Sequence, residues 1–137
     1  MLAHIPNSHK DLLEGPVLVT IATVMPDGQP HLSVVWCSYD GEYVLVNTAR
    51  GRQKDKNLQA RSIATILAID PENAGRYLEV RGTVEMTEEG AVGHIDQLAK
   101  LYTGADSYYG GVTPADLANK EIRVICKITP TRVTFVE

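Results

Sequence analysis

Residues 47–58 read Asn-Thr-Ala-Arg-Gly-Arg-Gln-Lys-Asp-Lys-Asn-Leu, a run rich in the side chains that grip anions. From Arg50 to Arg61 it holds five of the thirteen Lys and Arg residues but only one of the seventeen acids, Asp55. A cationic island therefore sits on a chain of net charge -4. Its field survives screening over only about 8–10 Å, so it acts on something bound close by. Extended, the run places Arg50, Arg52 and Lys54 on one side; once helical, it groups Lys54, Asn57 and Leu58 instead. At a helix start, fixed backbone N–H donors join these mobile cations, a combination suited to phosphate or carboxylate. The alternative is a solvated charged connection, the commoner fate of a charge run. The run is no P-loop, lacking the glycine spacing and the Lys-Ser/Thr pair.

Other reactive constellations are missing. His4, His9, His31 and His94 show no ligand-like spacing with one another or with Cys37 and Cys126, so no metal site is expected. His31 opens a strand, where it either faces a ligand or serves as an ordinary polar end residue. No Ser/His/Asp set or Gly-x-Ser-x-Gly elbow is present, and Glu79 and Glu85 lack the acidic partner of a glycosidase. Tyr102, Tyr108 and Tyr109, set among Gly104, Gly110 and Gly111, form either a mobile aromatic flap or a loop packed on the core. The two cysteines, in apolar strand-like settings, read as buried free thiols. With so few reactive side chains, the expected division of labour is a bound cofactor that does the chemistry and a protein that positions it.

The elements that must do the positioning are mostly strands. Residues 8–13 suggest a short helix capped by Ser8. Residues 17–24, nearly continuous in apolarity, predict a strand covered on both faces. A Pro26-Asp27-Gly28-Gln29 turn leads to a return strand over 31–39, and Asp40-Gly41 leads to a third over 43–47, an antiparallel meander. A helix over 54–61 anchored by Leu58 follows, then a strand over 63–69. The strand over 77–86 has one wet face, with Gly82 marking a bulge or a close backbone approach. Val92, Ile95, Leu98, Ala99 and Tyr102 predict the inward stripe of an amphipathic helix over 88–102. Two strands, 122–128 and 132–136, hinge at Thr129-Pro130. Short connections disfavour a parallel sheet and favour a mainly β fold: a closed or partly closed antiparallel barrel of six to seven strands.

At 137 residues, 44% hydrophobic and 22% charged, the chain fits one globular domain spanning 1–137. No apolar run approaches the ~20 residues of a membrane helix, and the first residues lack the pattern of a signal peptide. The expectation is a soluble, cytoplasmic protein. Its sequence pI of about 5.5 argues against nucleic acid or anionic membrane as a partner.

Taken in order, Ile21-Ala22-Thr23-Val24, Pro26-Asp27-Gly28-Gln29-Pro30-His31, Trp36, Tyr39-Asp40-Gly41, the basic run, Tyr77-Leu78-Glu79-Val80-Arg81-Gly82 and Ala99-Lys100-Leu101-Tyr102-Thr103-Gly104 resemble a known family. It is the pyridoxamine 5'-phosphate oxidase-like split-barrel family, and within it the flavin/deazaflavin branch that uses coenzyme F420. The resemblance spans residues 13–136. It implies a homodimer with the cofactor at the subunit interface. The cofactor phosphate is then expected against Arg52, Lys54 and Asn57, with Asn47 and Thr48 nearby. The isoalloxazine-like ring would lie along Ser33, Val34, Val35 and Trp36, and Tyr77 and Arg81 would reach the site from the partner subunit. The implied activity is hydride transfer from the reduced cofactor to a small organic acceptor, with solvent or Tyr102 returning a proton. Arg50 and Lys56 suit the polyanionic glutamyl tail of F420; FMN is the alternative cofactor, and a non-catalytic flavin carrier or sensor the alternative role. The further phosphate-binding and C-terminal residues of true pyridoxamine phosphate oxidases have no counterpart here, so vitamin B6 oxidation is not expected.

Overall fold

In the computed structural model, which describes residues 2–137, Asn7–His9 form a 3-10 turn and α1 (Asp11–Glu14) follows. Ser8 does not cap this helix: its hydroxyl donates to His9 Nδ1 at 2.7 Å, and the helix begins later, so that Leu12 and Leu13 are buried. In β1 (Val19–Val24), Val19, Ile21 and Thr23 point into the core, whereas Thr20, Ala22 and Val24 stay half-exposed. The expected double burial is thus single within one chain. The tight turn at Gly28, with φ of 89°, reverses the chain into β2 (Pro30–Val35).

The return strand then breaks at Trp36 and resumes as β3 (Cys37–Tyr39), which pairs with β4 (Val44–Ala49). After α2 (Gln53–Ala60) come β5 (Ile63–Asp70), β6 (Asn73–Thr87), α3 (Ala91–Thr103) and β7 (Arg123–Val136). All pairings between these strands are antiparallel, and the sheet order is β2-β1-β5-β6-β7-β4-β3. The two edges of the sheet are therefore successive halves of one bent strand. That bend curls the sheet into a split barrel, the mainly β architecture expected from the sequence.

Two further expectations need correction. The last two strands are one, because Pro130, which lacks an N–H, lies opposite Gly82 where the β6–β7 register shifts and Thr131 is left over. Gly82 is required there: a Cβ would collide with the Thr129 carbonyl oxygen and stand 2.8 Å from Ile128 Cγ2. In α3 the buried stripe is Ala91, His94, Ile95, Leu98 and Ala99, while Val92 is 54% exposed. His94, polar but inward, rotates the face away from the one apolarity alone suggests. Cys37 and Cys126 are free and fully buried, and burial pushes each thiol up to about 12. Among the described residues no helix is long and apolar enough to cross a membrane, and no His/Cys/Asp/Glu cluster suits a metal ion.

Candidate functional site

The bend at Trp36, the start of α2 and the inner face of α3 border a cleft of about 260 Å³. Val34, Val35, Trp36, Ile95 and Leu98 give it apolar walls; Asn47, Arg52, Lys54 and Arg123 give it polar ones. The indole of Trp36 is held flat by stacking on Tyr102, centroids 5.3 Å apart, and meets the edge of Tyr108.

The charges are unbalanced. Lys54 projects from the first turn of α2, half-buried, and among the described residues its ammonium donates only to Ser33 Oγ, at 3.1 Å. Burial, and then repulsion from Arg52 and Arg123, lowers its pKa. Arg52 precedes the helix and supplies it with no side-chain cap; its Nη2 donates to Glu121 Oε2 at 3.1 Å. Arg123, only 4% exposed, donates from Nη1 to Glu121 Oε1 at 3.2 Å and from Nε to Asn47 Oδ1 at 2.9 Å, and its guanidinium lies 5.0 Å from the Tyr108 ring centroid. Tyr109 also donates to Glu121 Oε1, at 2.8 Å. Burial works to raise the Glu121 carboxyl, but Tyr109, Arg52 and Arg123 outweigh it and hold it below the usual range. One carboxylate thus serves two guanidiniums, and none answers Lys54 among the described residues.

A neutral relay fixes the buried arginine from behind. Asn47 donates to Ala91 O at 2.9 Å and to His94 Nδ1 at 3.1 Å, which turns its carbonyl oxygen toward Arg123. His94 Nε2–H then donates to Ser38 Oγ at 3.0 Å. Burial, with Arg123 adding to it, lowers the His94 pKa to about 4, so the ring is neutral near pH 7.

Of the residues expected at the site, Val34, Val35, Trp36, Asn47, Arg52 and Lys54 line the cleft, and Ser33 joins through Lys54. The others lie elsewhere. Asn57 is buried beneath α2, donating to Thr23 Oγ1 at 3.0 Å and to Met25 Sδ, where it pins the helix to β1. Thr48 is fully buried, its hydroxyl without a partner among the described residues. Arg50 pairs with Asp55 at 2.8 Å and Glu88 at 3.0 Å beside a separate cavity. Tyr77 and Arg81 stand on β6, where the register aligns them with Ile69 and Thr65 of β5 on the sheet's outer face. His31 does not line the cleft; its Nδ1 is buried and unpartnered.

Tyr102 turns its hydroxyl to the backbone. Its hydroxyl donates to Val17 O at 2.7 Å and accepts from Cys37 N at 3.0 Å, and burial pushes its pKa up. Sequence reasoning missed Arg123 and Glu121. Their only signal is a basic residue at the head of an apolar strand, with an acid two positions before it.

The family model for pyridoxamine 5'-phosphate oxidase matches residues 5–137. The chain belongs to that family. The pyridoxamine 5'-phosphate oxidase family is one of flavin-binding oxidoreductases, in keeping with a site rich in cations and poor in nucleophiles. Among solved structures, a protein named F420 reductase is 35% identical, with 95% of this chain and 98% of that one covered and a TM-score of 0.80. A conserved hypothetical protein from Mycobacterium tuberculosis is 24% identical over 99% of this family member and 86% of itself, TM-score 0.74. HupZ of Group A Streptococcus is 22% identical over 96% and 93%, TM-score 0.67. These last two share the fold.

Proposed function

We propose that this chain is an oxidoreductase that binds the phosphate of coenzyme F420 in the Arg52–Lys54–Arg123 cleft and transfers a hydride to a small organic acceptor. The observation that carries this reading is Lys54: a half-buried ammonium with a hydroxyl as its only partner, beside two guanidiniums, is a site built for an anion. The cofactor, when bound, supplies the hydride chemistry. The chain's residues hold and orient it. Lys54 and Arg52 grip the phosphate, Arg123 adds a second charge fixed by Asn47, and Trp36, clamped by Tyr102, offers a flat apolar wall with Val34 and Val35 to a ring system. The likeness to the F420 reductase supports the deazaflavin. The engagement of Arg50 by Asp55 and Glu88 supports FMN as the second reading, because it removes one cation from those available to a glutamyl tail.

The same reading includes a homodimer. Leu18, Leu32, Val34 and Ile63 are exposed on the outer face of β2, β1 and β5, and Leu18 and Val34 also line the cleft. A second copy on that face would complete the cleft wall, and the face also carries Tyr77 and Arg81. The test is titration of the purified protein with F420 and with FMN, followed through Trp36, the single tryptophan. Saturable binding of one of them, weakened by about 1.5–3 kcal/mol in Lys54→Ala, is expected; no binding of either would remove the reading. Sedimentation of a monomer at all concentrations would remove the dimer.

A further inference from the structure

We propose that Glu121 is a charge filter: its carboxylate occupies the place of a ligand anion on Arg52 and Arg123, so that an anion must displace it to bind there, and a ligand carrying two or more negative charges gains most by doing so. This rests on the reading of the cleft as a cofactor-phosphate site. Glu121 lies between the 3-10 turn Ala115–Asn119 and β7, outside any regular element. Its backbone N–H is tied to Leu117 O at 3.0 Å, while its side chain reaches into the cationic group. There it bonds Arg52, Arg123 and Tyr109 through both oxygens, the set of contacts an incoming phosphate or carboxylate would make.

Such an internal anion changes what the site rewards. A ligand with one carboxylate that displaces Glu121 from Arg52 exchanges one carboxylate pair for another and gains little. A dianionic phosphate brings more charge and three acceptor oxygens, and it also reaches Lys54, which Glu121 does not satisfy. A neutral ligand has no means of displacing the carboxylate. Glu121 therefore sets a threshold that a ligand's charge must exceed, and lowers the affinity of the anion that exceeds it.

The experiment compares wild type, Glu121→Gln and Asp116→Asn with FMN and with riboflavin, the same ring system without phosphate, by Trp36 fluorescence. Gln keeps an acceptor for Tyr109, and the side chain is partly solvent-exposed, so folding is expected to be preserved and circular dichroism checks it. Asp116 removes the same charge from an exposed pair with Lys120 outside the cleft. FMN should bind Glu121→Gln about two- to fivefold more tightly than wild type, the scale of a partly exposed ion pair, with riboflavin unchanged and Asp116→Asn like wild type. Equal or weaker FMN binding in Glu121→Gln would overturn the filter while leaving the phosphate site standing. Equal tightening in Asp116→Asn would overturn it too, since net charge alone would then explain the effect. If FMN bound none of the three and F420 bound none either, the cofactor reading would fall and the filter with it.

Discussion

Arg50 and Lys54 stand four residues apart on one cationic run, yet they live in opposite electrostatic conditions. Arg50 is matched by two carboxylates, and that of Asp55 is itself buried and further bonded to Gly51 N at 2.8 Å and to Gln59 at 2.9 Å. Lys54 has a single hydroxyl, with Arg52 and Arg123 nearby. The first arrangement is a closed structural knot that ties the turn after β4 to the helix; the second leaves positive charge unanswered in a cleft. The count of basic residues is the same kind of signal at both places. What separates a binding site from a brace is whether the internal counter-charge reaches every cation: Glu121 answers Arg52 and Arg123 but leaves Lys54.

The largest effect should come from breaking the knot. Asp55→Asn leaves Arg50 without its buried partner and weakens the acceptor for Gly51, and we expect a loss of about 3 kcal/mol in urea denaturation with cofactor affinity per folded molecule preserved. Unchanged stability would mean that the knot is decorative. Next, acidification separates the two regions by pH window. Behind the cleft, His94 has a folded pKa of about 4, below its ordinary 6.5, so the unfolded chain binds more protons between these values. Stability should be full above about pH 6.5, fall by about 3 kcal/mol as pH drops to about 4, and then level off for this group. The Asp55 carboxyl has its pKa lowered below 3.8, so its contribution is lost at still lower pH. Replacing His94 with Gln should flatten the upper window and leave the lower one; a slope that survives the replacement would assign it to another group.

The sharpest contrast is the pair Lys54→Ala and Arg50→Ala. The first should lower cofactor affinity by about 1.5–3 kcal/mol at nearly constant stability. The second should lower stability by about 3 kcal/mol, because it leaves the buried Asp55 carboxylate without its cation, and leave affinity within twofold. Equal losses of affinity would erase the distinction between the two residues.

Local chemistry made much of this visible in the sequence. The turns at Gly28 and Gly41, both at positive φ, and the β-branched runs between them determine β1, β2 and β4, and the basic run announces Arg52 and Lys54. What stayed hidden depends on contacts between distant segments. Arg123 reaches the cleft because β7 pairs with β4, aligning it with Ala49, and no spacing in the sequence encodes that register. The continuity of β7 through Pro130 depends on what faces it, namely a residue without a Cβ at Gly82. Asn57 shares the stretch with the cations, but whether it meets a ligand or the underside of its own helix depends on where Thr23 lies in the folded barrel.

The bend at Trp36 has a consequence for how the barrel breathes. Because the chain crosses there from one sheet edge to the other, the seam has no ladder across it, and the Tyr102 hydroxyl spans it by holding Cys37 N and Val17 O together. In hydrogen exchange, the Cys37 amide should be slow despite its place beside a strand break, and Tyr102→Phe should make it fast while amides in the β6–β7 ladder keep their protection. Local opening would then begin at the wall of the cleft, so one phenolic oxygen sets how often the pocket and the barrel come apart together.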